Sequence, residues 1–68
     1  MYIVKKEEMQ ELRKGFNIKE MANELEINEK YVYAILSGAR KCSKKIAVLL
    51  VIAMGEKMEN VEKYFTKI

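Results

Sequence analysis

Apolar residues recur along this 68-residue chain at helical spacing, in runs separated by glycines and by asparagines suited to capping. Between Lys6 and Lys14, Met9 and Leu12 stand three apart among Glu, Gln, Lys and Arg, which predicts a first amphipathic helix stopped by Gly15. Asn17 is a good N-cap, and Glu20 completes a capping box with an amide in place of the usual hydroxyl. A second helix is predicted from Ile18 to near Leu25, with Ile18, Met21, Ala22 and Leu25 facing inward. Asn28 caps again, and Val32, Ile35 and Leu36 form the inner face of a third helix from Glu29 to the Ser37-Gly38 stop. Ser43 is a third N-cap, for a fourth helix from Lys44 to about Met54, ended by Gly55. Met58, Val61, Tyr64 and Phe65 suggest a last short helix over 58–65, while Tyr2-Ile3-Val4 is too short a run to assign.

The reading is an all-α, compact four- to five-helix bundle forming a single domain over 1–68, because a chain of this length encloses only one small core. Composition agrees: proline is absent, glycine occurs three times, and half the residues are apolar. The single cysteine, Cys42, has no partner for an internal disulfide and reads as a loop filler, which fits a reducing compartment. The opening residues turn charged after three apolar positions, unlike a secretory signal, and the apolar run Ile46–Met54 is about half of what a membrane helix needs. A cytoplasmic protein with no membrane span is expected.

Charge placement changes the picture more than the net charge of +3 does. Residues 1–36 hold six Lys/Arg against seven Glu, residues 46–68 hold three of each, and residues 37–45 hold Arg40, Lys41, Lys44 and Lys45 with no acid. The whole excess sits in one short segment, either as a solvated loop or as a surface for a polyanion. With no histidine, no aspartate and one cysteine, neither a nucleophile–base pair nor a Cys/His metal site is assembled, so an enzyme and a cofactor are not expected.

The stretch FNIKEMANELEINEKYVYAILSGARK resembles the DNA-binding core of the Cro/repressor, or XRE, helix-turn-helix family, common among phage and bacterial regulators. The likeness lies in Ala22, Leu25, Ile27, Val32 and Ile35, in the Ser37-Gly38-x-Arg40 ending, and in the Leu49-Leu50-x-Ile52-Ala53 series. It implies a lambda-repressor-like fold with the helix-turn-helix at about 17–38, where a small residue such as Ala22 lets two helices cross closely. Glu26 stands where the family usually has a glycine, Ile18 where it often has a phosphate-binding glutamine, and Glu29 brings a negative charge to the tip of the third helix.

The resemblance implies that the third helix enters a major groove, with Asn28, Glu29, Lys30, Tyr33 and Ala34 as candidates to read base edges. Asn17, Lys19, Ser37, Arg40, Lys41, Lys44 and Lys45 are the phosphate candidates, giving salt-sensitive affinity rather than readout. Tyr31 is assigned to packing, its hydroxyl a further phosphate candidate. On a wheel of about 100° per residue, Ile46, Leu49, Leu50 and Ala53 form the expected core face of the fourth helix, while Ala47, Val48 and Val51 fall opposite. That second apolar face, joined by Met54 and Met58, is expected either to pair two copies as a homodimer or to be covered by residues 1–4 or 58–68. The expected partner is double-stranded DNA with a pseudo-palindromic operator, and no small-molecule ligand is suggested. The function implied is that of a small repressor or Cro-like regulator of phage or mobile-element type. The alternative is a protein-interaction module, of antitoxin or inhibitor type, that does not read DNA.

Overall fold

Tyr2–Val4 pair antiparallel with Phe65–Lys67, Val4 opposite Phe65 and Tyr2 opposite Lys67, as strands β1 and β2 of a two-stranded sheet in a computed structural model that describes residues 1–68. Between them run α1 (Lys6–Arg13), α2 (Ile18–Glu24), α3 (Glu29–Leu36) and α4 (Lys44–Ala53), then a 3₁₀ turn (Met58–Asn60) and the short α5 (Val61–Tyr64). The domain is mostly helical but not purely all-α. The residues predicted as a last helix divide instead: Met58 begins the 3₁₀ turn, Val61 and Tyr64 belong to α5, and Phe65 has extended backbone and opens β2. Neither strand is long enough to announce itself in the sequence, and each forms only because the other is brought beside it.

The caps behave as local chemistry dictates. Asn17 Oδ1 accepts from the Glu20 amide at 3.1 Å, Asn28 Oδ1 from the Lys30 and Tyr31 amides at 2.8 and 3.3 Å, and Ser43 Oγ from the Ile46 amide at 3.2 Å. The C-terminal ends of α2, α3 and α4 close by one device, in which two amides beyond the helix reach back to carbonyls of its last turn. Ala39 N–H donates to Ala34 O and Gly38 N–H to Ile35 O, while Glu56 N–H donates to Val51 O and Gly55 N–H to Ile52 O. At α2 the equivalent bonds are Ile27 N–H to Ala22 O and Glu26 N–H to Asn23 O. The pivot residue is left-handed in all three, at φ 85° for Gly38 and Gly55 and at φ 57° for Glu26. Glu26 therefore adopts the backbone that its unusual position demands, at a cost of about 1 kcal/mol relative to glycine.

Sixteen apolar residues make one core, drawn from every element except the 3₁₀ turn, with no buried charged or polar residue. Met9 anchors α1, Ile18, Met21 and Ala22 anchor α2, and Val32, Ile35 and Leu36 anchor α3. Cys42 is fully buried rather than a loop filler, and its backbone exchanges two hydrogen bonds with Tyr2, which ties the loop after α3 to β1. Burial pushes the Cys42 thiol above its ordinary pKa, as expected of a thiol that packs rather than reacts.

The side of α4 turned inward differs from the expected one. Ala47, Leu50, Val51 and Met54 are buried, whereas Leu49 is only half-buried and Ile52 is 50% exposed. The C-terminal segment lies against α4, and Val61 and Phe65 join the same core, so the second apolar face is covered within the chain. Ala47, Val51 and Met54 are thus not open to a partner, Val48 is half-buried against the core, and only Met58, at 62% exposed, is free among the five residues expected at a dimer contact. A polar clasp holds this closure: Tyr64 Oη donates to Glu56 Oε2 at 2.7 Å and Asn60 Nδ2 donates to Glu56 Oε1 at 3.0 Å. The bond from Tyr64, then that from Asn60, hold the Glu56 carboxyl below its usual pKa, and the same carboxylate raises that of Tyr64. No helix is long and apolar enough to cross a membrane.

Candidate nucleic-acid interface

α2 and α3 pack on each other, and Ala22 of α2 and Val32 and Ile35 of α3 have no exposed surface. The tight Glu26-centred turn sets the start of α3, and Asn28 caps it. One side of α3 is thereby committed to the core, and the opposite side is left free. Lys30 and Tyr33 are exposed on that free side, Tyr33 at 42%, while Glu29 and Ala34 are half-buried.

Three of the expected contact groups carry prior commitments. Asn28 is exposed, but its Oδ1 already accepts two backbone amides, so only its Nδ2 is free and a two-point contact with adenine would cost the cap. Ser37 is exposed and its hydroxyl donates to Ala34 O at 3.1 Å, so it would have to release that bond to donate to a phosphate. Asn17 likewise accepts the Glu20 amide. Sequence patterns identify a cap and a contact by the same residue types, which is why both roles fell on these positions.

The cations are less constrained. Lys19, Lys30, Arg40, Lys41, Lys44 and Lys45 are all exposed, and none has an acidic partner, since the one ion pair in the structure is Lys14–Glu11 at 3.2 Å. Arg40 lies over the Tyr31 ring, 5.0 Å from its centroid, so Tyr31 is both packed against the core and the seat of a cation. The structure also brings in α1, which the sequence pattern left out of the interface. Arg13 lies 5.8 Å from the Tyr33 centroid, and a Cβ built on Gly38 would meet Lys6 Cε at 2.5 Å, so both residues border α3. No cavity is present, and no cluster of His, Cys, Asp or Glu is placed to hold a metal ion. The free side of α3 is a helix face edged by cations.

No family model, curated protein or solved structure matches the chain.

Proposed function

We propose that this protein binds double-stranded DNA with the free face of α3, as a small transcriptional regulator of the repressor or Cro-like type. The reading is carried by one observation: the capped, exposed face of α3 is bordered by unpaired cations, including the acid-free segment 37–45. On this reading α2 and α3 are a helix-turn-helix pair, with Lys30, Tyr33 and Ala34 at base edges, assisted by Glu29 and the Asn28 amide. Arg40, Lys41, Lys44 and Lys45 hold phosphates, and Lys19 adds a contact at the start of α2. Regulation of phage or mobile-element genes follows from the sequence resemblance alone.

The test is fluorescence anisotropy with random duplex DNA over a salt series, followed by selection of the bound fraction. A steep salt slope with an enriched sequence supports the reading, and no binding at low salt removes it. Arg40→Ala should weaken every sequence alike and flatten the slope, whereas Lys30→Ala should lose discrimination at one base position. A homodimer would read a pseudo-palindrome with half-sites about 34 Å apart, and sedimentation of the free and bound chain decides that point.

A protein-interaction module is the second reading, favoured by the apolar surface that Leu49 and Ile52 leave open on α4. It would show no salt-dependent duplex binding.

A further inference from the structure

The free strip of α3 is edged on both sides by a tyrosine carrying an arginine. We propose that Arg13 and Arg40 are two separate phosphate contacts, one for each wall of the DNA groove that α3 would occupy. This rests on the DNA-binding reading above and adds to it a second rail, on α1.

The placement follows from helix geometry. At about 100° per residue, Tyr31 and Tyr33 lie on opposite sides of Lys30, roughly 100° one way and 60° the other. Arg40 reaches Tyr31 from the loop after α3, and Arg13 reaches Tyr33 from the last turn of α1. A helix with its side chains is about 10–12 Å across and a major groove about 12 Å wide, so groups on opposite flanks of an inserted helix face opposite walls. A second α1 cation also borders α3. Lys6 stands one heptad before Arg13, on the same face of α1, and its stem lies beside Gly38 near the end of α3.

The tyrosines matter because they position a guanidinium without neutralising it. An acidic partner would hold Arg13 or Arg40 equally well and would cancel the charge that a phosphate needs, and neither arginine has one. An aromatic face leaves the planar fork of N–H donors available to phosphate oxygens.

The experiment uses the full chain on a duplex selected for binding, with wild type, Arg13→Gln, Arg40→Gln and the double variant, each first checked for folding by circular dichroism. Each single variant should lower the slope of log K against log salt by about 0.9 and the double variant by about twice that, with Arg13→Lys restoring the slope. Phosphate-ethylation interference should be relieved at different phosphates by the two variants, on opposite walls of the groove. Tyr31→Leu should weaken binding in the wild type and have no effect once Arg40 is glutamine. Should wild type bind with a steep slope while Arg13→Gln changes neither slope nor interference, the second rail is overturned and the DNA reading stands. Relief of the same phosphates by both variants overturns the two-wall placement. A wild type that binds no duplex at low salt overturns the DNA reading and this inference with it.

Discussion

α3 and α4 are built alike at their ends and differ in their middles. Each starts at a side-chain cap and stops at a left-handed glycine, so both were delimited from the sequence to within a residue. α3 has one apolar stripe and a polar remainder, which leaves a single way to lay it on a core. α4 is apolar nearly all round, and a periodic pattern cannot choose among faces that are equally apolar. The choice is made by the C-terminal segment, which folds back against α4 and brings Val61 and Phe65 into the core with Ala47, Leu50, Val51 and Met54. An amphipathic helix therefore announces its orientation, and a uniformly apolar one takes its orientation from its neighbours.

Substitutions along α4 break the comparison most severely. Leu50→Ala should cost on the order of 3 kcal/mol in urea denaturation, because it empties a fully buried site, whereas Ile52→Ala should stay within about 0.5 kcal/mol. Equal losses at the two positions would show that Ile52 is covered in solution, and a loss at Ile52 that depends on protein concentration would identify another copy as the cover.

On α3 the corresponding effect is in binding. Lys30→Ala should cost about 1–3 kcal/mol on the preferred sequence and little on random duplex, with folding stability unchanged to within about 0.5 kcal/mol. A loss of stability instead would place Lys30 in the packing of the fold.

The ends of the helices give a smaller, opposite effect. Glu26→Gly should stabilise the protein by about 1 kcal/mol in urea, since it relieves a left-handed non-glycine residue in a motif that α3 and α4 build with glycine. No gain would mean that Glu26 makes a compensating interaction in solution.

The clasp over α4 gives the smallest effect, visible in pH. The Glu56 carboxyl has a lowered pKa in the fold, so its contribution is present above the unfolded carboxylate pKa and is lost as pH falls through the folded value. Tyr64 has a raised pKa, so its contribution is present below the unfolded phenol pKa and is lost as pH rises through the folded value. Tyr64→Phe should flatten the stability profile at both ends, measured as urea midpoints across pH.

What the sequence made legible follows the same division. The bounds of α1 to α4, the three side-chain caps and the inner faces of α2 and α3 are written in residues a few positions apart. The β1–β2 pairing and the burial of Cys42 depend on partners dozens of residues away, the orientation of α4 depends on how the segment after it folds back, and no local pattern encodes them. At the candidate site, the exposed cations of 37–45 were legible because they form one block. Arg13 and Lys6 were not, because within α1 they read as the solvated face of an amphipathic helix, and only the folded chain brings them to the border of α3.

The backbone hydrogen bond from Ile68 N–H to Met1 O, at 2.9 Å, makes the fold nearly a closed ring. A short peptide joining Ile68 to Met1 would complete that ring with little displacement of β1 or β2. Cyclisation would remove conformations from the unfolded chain while leaving the folded one as it is. The gain should appear as a higher urea midpoint.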